Sequence, residues 1–169
     1  MKGKRVKDSS TVMAQMMNPQ DANPAGNVHG GVIMKLIDTV AGTLAMRHAR
    51  SNAVTASFDR LDFHWPAFIG DFVTLRASLN LVGRSSMEVG IRVETENLLT
   101  GERHHMASAY MTYVALDRDG HPAPVPPLIL KTDDEKRRNR EARARRATRL
   151  REKTKEKECQ LDANSCELA

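Results

Sequence analysis

One stretch near the start of the chain, a polar turn that leads into an apolar helix, constrains the fold most strongly. Residues 23–27 consist of Asn, Pro, Ala and Gly, which are typical of tight turns. From residue 28 onward, apolar residues recur every three or four positions, and this spacing predicts a helix to about residue 48. Between Val28 and Met46 only Lys35 and Asp38 are charged, so we expect other structure to wrap most of this helix. The carboxylate of Asp38 is therefore a candidate functional group.

Five strands are predicted around this helix. Residues 9–17 carry a weak strand pattern, and clearer patterns cover 53–61, 72–82, 87–94 and 102–116. The last segment is apolar on both faces, as expected for an interior strand. One helix and a set of strands joined by short turns predict an α+β fold, with one antiparallel sheet covering the helix.

Charge divides the chain into segments. We predict a basic N-terminal extension at 1–8, one domain at 9–130, a basic helix at 131–158 and a disordered tail at 159–169. Residues 131–158 hold 13 of the 26 Lys and Arg residues but only 7 of the 21 Asp and Glu residues. Acidic residues come first and basic residues later, which suits a helix dipole. Because apolar residues are nearly absent, we expect a solvated helix.

Several classes of protein are disfavoured by composition. Both cysteines, Cys159 and Cys166, lie in the tail and cannot staple the core, so a reducing compartment is expected. No apolar run reaches the roughly 18 residues of a membrane span. The basic start is not followed by the apolar segment of a secretion signal. These features predict a cytoplasmic location and no membrane association.

Four motifs together resemble a known family. They are Asn-Pro-Ala-Gly-Asn-Val-His-Gly-Gly-Val-Ile-Met-Lys-Leu-Ile-Asp (23–38), Asn-Ala-Val-Thr-Ala-Ser (52–57), Gly-Arg-Ser-Ser-Met-Glu-Val (83–89), and a Pro-Pro exit (126–127) into Asp-Asp-Glu-Lys-Arg-Arg (133–138). The chain resembles the cytosolic acyl-CoA thioesterases of the hotdog fold, as a single-domain member. This resemblance implies a sheet wrapped around a central helix, hydrolysis of acyl-CoA to fatty acid and coenzyme A, and no cofactor or metal. It also implies a homo-oligomer, usually a trimer of hotdog dimers.

The resemblance also implies a catalytic pair. In relatives with two fused domains, an Asn before the helix of one copy works with an Asp in the helix of the other. Asn27 and Asp38 occupy these positions here. They are 11 residues apart, or about 16 Å along a helix, too far to share one water within a subunit. Two copies related by a two-fold axis would bring Asn27 of one chain toward Asp38 of the other.

Further site residues follow from the chemistry of thioesters. Backbone N–H groups of His29, Gly30 and Gly31 at the helix start are candidates for an oxyanion hole. Asp38 would activate water as a general base or attack directly as a nucleophile, and the sequence leaves both roles open. Asn27 would orient the water or the thioester, with helix capping as its alternative role.

The predicted turn at 83–86 is a candidate binding element for coenzyme A. Arg84, Ser85 and Ser86 could present a guanidinium and two hydroxyls to phosphate or pantetheine. An ordinary hairpin turn is the alternative.

Two rival functions are considered. A hotdog enoyl-CoA hydratase or dehydratase would need a His as proton shuttle, and the match through Asp38 favours hydrolysis instead. The basic tail could alternatively make the protein an oligomeric platform for RNA or another polyanion. Residues 131–158 contain no aromatic side chain for base stacking, so nucleic acid binding is disfavoured.

Overall fold

The structure, a computed structural model, describes residues 1–161, and it describes side-chain surroundings through residue 158. These residues include seven strands and two α-helices. The strands are β1 (Lys4–Arg5), β2 (Ser10–Met16), β3 (Asn52–Phe63), β4 (Phe72–Val82), β5 (Ser86–Glu96), β6 (Arg103–Leu116) and β7 (Leu128–Ile129). The helices are α1 (Gly30–Ala49) and α2 (Asp133–Leu161).

Five of the strands form one antiparallel sheet in the order β2-β4-β5-β6-β3. The hairpins β4-β5 and β5-β6 join neighbours in sequence, whereas α1 connects the two edge strands, β2 and β3. The predicted α+β fold is confirmed, and β6 is an interior strand as its two apolar faces indicated. The strand predicted over 72–82 has the observed bounds of β4.

The core lies between α1 and the inner face of this sheet. One face of α1 is almost fully buried through Ile33, Ile37, Ala41, Leu44 and Ala45, which are at most 2% exposed. Inward-facing sheet residues complete the core, among them Leu75, Val89, Val93, Ala109 and Met111. Burial of each large apolar side chain contributes about 1.5–3 kcal/mol. The opposite face of α1 is open in the single chain: Met34 and Met46 are 41% and 43% exposed. The helix is therefore less completely wrapped than predicted.

The N-terminal residues are part of the domain rather than an extension. β1 pairs in parallel with β7, so residues 4–5 are joined to the segment that leaves the sheet. Val6 and Ser9 are buried. Ser9 Oγ lies 2.7 Å from Nδ1 of His48, which is itself buried at the end of α1. The predicted boundary at residue 9 therefore divides a packed region, because short apolar anchors inside a basic segment carry little sequence signal.

The C-terminal helix begins with a reciprocal cap. Thr132 Oγ1 accepts a hydrogen bond from the Glu135 backbone N–H (3.2 Å), and the Glu135 carboxylate accepts one from the Thr132 N–H (3.1 Å). The backbone N–H groups of Lys131 and Thr132, which both donate to the Glu135 carboxylate, lower its pKa. The helix is assigned to Leu161, so the predicted disordered tail, 159–169, overlaps its last three residues and otherwise lies outside the described residues.

The prediction that this helix is solvated is wrong for one of its faces. Asn139 and Ala142 are buried, and Asn139 Nδ2 donates to the backbone oxygen of Asn80 on β4 (2.7 Å). Arg145 and Arg149 form ion pairs with two carboxylates of the sheet's outer face. The helix docks through polar contacts, which hydrophobic periodicity does not reveal.

Candidate active site

The carboxylate of Asp38 is held against the sheet by two hydroxyl groups. Thr55 Oγ1 on β3 donates to Asp38 Oδ1 at 2.7 Å. The Tyr113 hydroxyl on β6 lies 2.7 Å from the same oxygen and 2.9 Å from the Asp38 main-chain oxygen. Asp38 is half-buried, so its carboxylate retains access to the surface of the single chain. This arrangement gives the predicted aspartate an oriented, hydrogen-bonded environment.

Strand register explains why these hydroxyls meet. Thr55 and Tyr113 are directly paired across β3 and β6, and paired residues point to the same face of a sheet. That face carries the core, and α1 packs on it with Asp38 above the pair. Tyr113 is only 2% exposed. Burial raises the pKa of its hydroxyl well above the ordinary value, and the nearby Asp38 carboxylate acts in the same direction.

The turn before α1 is organised by Asn23. Its side-chain oxygen accepts hydrogen bonds from the backbone N–H groups of Ala25 (2.9 Å) and Asn27 (3.2 Å). Gly26 takes a positive φ of 85°, which the turn requires and glycine allows. Among the described residues, neither the Asn23 amide nitrogen nor the Asn27 side chain forms a hydrogen bond. Both amides can therefore serve a ligand.

A cavity of about 330 Å³ lies between this turn and the connection from β3 to β4. Its lining includes Asn23, Asn27, Gly30 and the aromatic side chains of Phe63 and Trp65. Of the two predicted catalytic residues, Asn27 therefore lines this cavity and Asp38 does not.

Two of the three predicted oxyanion donors already have acceptors in this structure. The His29 N–H donates to the Asp21 carbonyl (2.8 Å), and the Gly31 N–H donates to Nδ1 of His29 (3.0 Å). His29 is therefore the N-cap of α1. Helix capping had been the alternative role predicted for Asn27. The Gly30 N–H has no acceptor among the described residues. Of the three predicted donors, the Gly30 N–H is thus the one that can bind an oxyanion directly. The Gly31 N–H becomes available when a ligand displaces the His29 side chain.

The predicted coenzyme A element is the β4-β5 hairpin. A hydrogen bond from the Gly83 N–H to the Ser86 carbonyl (2.8 Å) closes the turn, and Arg84 is exposed. Ser86 pairs with Val114, the residue next to Tyr113. The hairpin thus begins one residue beyond the sheet row that contains the Asp38 partners, so these residues lie at the same end of the sheet.

One group of residues in the described part of the chain has metal-ligand character: Asp117, Asp119 and His121, in the turn after β6. All three are exposed, and Asp117 Oδ1 already accepts the backbone N–H groups of Asp119 and His121 at 2.9 Å. These bonds account for the cluster as a turn. No helix within residues 1–161 has the length and apolar character needed to cross a membrane.

Thr55 and Tyr113 were not identified as site residues from the sequence. Thr55 fitted the polar face of a strand, and Tyr113 fitted an apolar interior strand. The sequence does show a hydroxyl group on each of two predicted strands and a carboxylate without a predicted partner on the helix. Only the strand register shows that they converge.

A helix half-enclosed by a five-stranded antiparallel sheet, with a carboxylate on the helix and an asparagine-containing turn before it, is the arrangement of a hotdog domain. Residues 25–102 match the family model of the thioesterase superfamily. A Bacillus subtilis protein described as an uncharacterized acyl-CoA thioester hydrolase is 42% identical over 129 residues, covering 76% of this chain and 75% of that protein. The chain belongs to the acyl-CoA thioester hydrolase family.

The rat cytosolic acyl coenzyme A thioester hydrolase is 39% identical over 139 residues, covering 81% of this chain. This chain spans only 36% of the length of that relative. Among solved structures, an apo-hexameric acyl-CoA thioesterase superposes with a TM-score of 0.86 at 39% identity, covering 90% of this chain and 97% of that chain.

The Staphylococcus aureus acyl-CoA hydrolase, solved with butyryl coenzyme A and coenzyme A, gives a TM-score of 0.85 at 33% identity, with 92% and 94% coverage. Structures are also known for three variants of this enzyme, in which one aspartate, one asparagine or one threonine is replaced by alanine.

Proposed function

We propose that this protein hydrolyses acyl-CoA thioesters to a carboxylic acid and coenzyme A. The observation that carries the proposal is the half-buried Asp38 carboxylate, oriented by Thr55 and Tyr113 in a chain of this family. A carboxylate beside a thioester can remove a proton from water, and such general-base catalysis contributes about 10²–10⁴-fold to a rate. We assign this role to Asp38, without metal or other cofactor.

The asparagine of the site is better assigned to Asn23 than to Asn27. In the S. aureus enzyme, the substituted asparagine and aspartate are 15 positions apart, and the aspartate and threonine are 17 apart. Asn23, Asp38 and Thr55 have these same separations, whereas Asn27 precedes Asp38 by 11. Among residues 1–161 the Asn23 amide nitrogen has no hydrogen-bond partner, so it can donate to a thioester carbonyl or to the attacking water.

We propose that each site uses two subunits. Asn23 lines a cavity whose lining residues do not include Asp38, which supports a site that a second chain completes. In the part of the chain that the structure describes, β3 is an edge strand that pairs with β6 alone, and it exposes Val54, Phe58 and Phe63 by 39–46%. An exposed apolar edge is suited to pair with a second copy. The hexameric relative supports a homo-oligomer, and we propose a trimer of such dimers.

We further propose that Arg84, Ser85 and Ser86 contact coenzyme A. Arg84 is exposed at the hairpin tip and carries no ion pair among the described residues. The rat relative's description as cytosolic supports a cytoplasmic location, which fractionation of cells that express the protein would test.

The first experiment measures release of free thiol from acyl-CoAs of increasing chain length. Asp38→Asn should lower kcat by roughly 10²–10⁴-fold because amide nitrogen cannot accept a proton from water. Asp119→Asn, a change of the same kind in an exposed turn, should leave kcat unchanged. Asn23→Ala should reduce turnover more than Asn27→Ala.

Two results would contradict the proposed function. One is absence of thiol release by the unmodified chain from every acyl-CoA. The other is hydration of an enoyl-CoA without hydrolysis, which would favour the hydratase alternative. If Asn27→Ala proves the more damaging variant, the assignment of Asn23 is wrong while the activity stands.

A further inference from the structure

The two oxygens of the Asp38 carboxylate have different surroundings. Both hydroxyl donors, from Thr55 and Tyr113, reach Oδ1 at 2.7 Å. Among the described residues no donor reaches Oδ2, and no Lys, Arg or His forms an ion pair with either oxygen. One oxygen is thus held by the protein, and the other is free to meet a water molecule.

The two donors are not equivalent. Thr55 is exposed in the single chain and lies on the edge strand β3. Tyr113 is buried on β6, and its hydroxyl sits within 2.9 Å of the main-chain oxygen of Asp38 as well as its carboxylate. The rigid Tyr113 side chain therefore fixes the position of the Asp38 carboxylate relative to the Asp38 backbone. Burial raises the pKa of Tyr113, which favours the protonated hydroxyl and hence its role as a donor.

We infer that Tyr113 is a positioning residue for the reaction: it holds Oδ1 of Asp38, so that Oδ2 is the oxygen that takes a proton from the attacking water. The water oxygen bonds to the thioester carbonyl carbon as Oδ2 receives this proton. The C–S bond then breaks, and the departing thiolate takes the proton from Asp38 to give coenzyme A and the free acid. This inference rests on the proposed function and adds a residue and an oxygen assignment to it.

Removal of the Tyr113 hydroxyl should affect the chemical step rather than substrate binding. The Asp38 carboxylate loses its orientation, which should lower kcat with little change in KM. A purely structural contact would instead lower kcat only in parallel with the melting temperature.

The test compares Tyr113→Phe with Tyr110→Phe. Tyr110 is the other tyrosine of the chain and lies on the same strand but the opposite face, under the Arg145 guanidinium at 3.7 Å. Tyr113→Phe should lower kcat roughly tenfold, as expected for loss of a hydrogen bond to a charged group, with KM within about twofold. Tyr110→Phe should match the unmodified chain in both measurements.

A second measurement separates this inference from the activity itself. Carbon-13 labelling of aspartate allows the chemical shift of the Asp38 carboxyl carbon, assigned by its loss in Asp38→Asn, to be measured at neutral pH without substrate. Loss of the hydrogen bond in Tyr113→Phe should change this chemical shift, whereas Tyr110→Phe should leave it unchanged. An unchanged chemical shift in Tyr113→Phe, or a lower kcat that only parallels a lower melting temperature, would overturn the role of Tyr113. Absence of thiol release together with the predicted change of chemical shift would overturn the proposed function and leave the contact between Tyr113 and the carboxylate in place.

Discussion

The two helices pack on opposite faces of the same sheet by different means. α1 contacts the inner face through side chains such as Ile37 and Leu44, which are 0% and 2% exposed. α2 contacts the outer face through Asn139, Arg145 and Arg149, with Ala142 as its buried apolar residue. Burial of apolar surface is non-directional, whereas polar docking needs each partner at a set position. Hydrophobic periodicity therefore revealed the first helix contact and missed the second.

The outer face of the sheet carries two buried carboxylates that pair with arginines of α2. Glu88 and Asp59 are carboxylates with side chains only 3% and 4% exposed, and Arg145 and Arg149 neutralise them. Thr112 also donates to Asp59, at 2.8 Å. Burial of an unpaired carboxylate is costly, so these residues are tolerated because the helix supplies their cations. The basic tail is accordingly a structural part of the domain, and three of its arginines, including Arg138 beside Ser78, are directed at the sheet rather than at solvent.

The largest expected difference between the two helices is in the loss of stability when a leucine is truncated, and Leu44→Ala on α1 should cause the greater loss. This change leaves a cavity between α1 and the sheet, and it should lower the free energy of unfolding by about 2–5 kcal/mol. Leu150→Ala on α2 removes the same atoms from a side chain that is 51% exposed, and it should cost less than about 0.5 kcal/mol. Urea unfolding measures both. Equal losses would show that the apolar contacts of the two helices do not differ as described.

A smaller loss should follow when the polar dock is broken. Arg145→Ala removes the cation from Glu88, which accepts from it at 2.6 Å, and should cost about 1–3 kcal/mol. Faster hydrogen exchange should appear along α2, because its undocking hydrates the carboxylate. Glu141→Gln disrupts an exposed pair with Arg137 on the same helix and should leave the urea midpoint unchanged. An Arg145→Ala variant with normal exchange would show that the helix is held by other contacts.

The smallest effect concerns the end of α1 and depends on pH. His48 Nε2 donates to the Pro126 carbonyl (2.8 Å), so its Nδ1 accepts from Ser9, and burial lowers the pKa of this histidine. As pH falls below the ordinary value of 6.5, the unfolded chain binds a proton before the folded chain does. Stability should therefore decrease from about pH 6.5 downward.

Melting temperatures between pH 7.5 and 5.5 test this prediction. His48→Gln should reduce the loss of stability on acidification, whereas the exposed His121→Gln should leave it unchanged. His105, whose pKa burial also lowers, contributes with the same sign, so the slope should become smaller without vanishing. A slope unaffected by His48→Gln would place the pH dependence elsewhere.

The candidate site shows where inference from the sequence stopped. Asp38 was identified because a carboxylate in an otherwise apolar helix requires a partner or a function. Its partners were not identified, because Thr55 and Tyr113 are 58 residues apart in the chain and meet only through the β3-β6 register. The assignment of Asn27, which the sequence analysis made without considering Asn23, stays a prediction. The proposal of Asn23 competes with it, since neither the Asn23 amide nitrogen nor the Asn27 side chain has a hydrogen-bond partner among the described residues. The coenzyme A contacts at Arg84, Ser85 and Ser86 likewise stay predictions.

The sequence by itself determined the α+β fold, the apolar helix with its single carboxylate, and the approximate bounds of the five sheet strands. These features depend on local periodicity and turn chemistry, which neighbouring residues carry. The tertiary structure alone decided that His29 caps α1, that residues 4–9 join the domain, and that α2 docks on Glu88 and Asp59. The physical reason is that hydrogen bonds and ion pairs join atoms distant in sequence at lengths near 3 Å, and only the folded chain sets such distances.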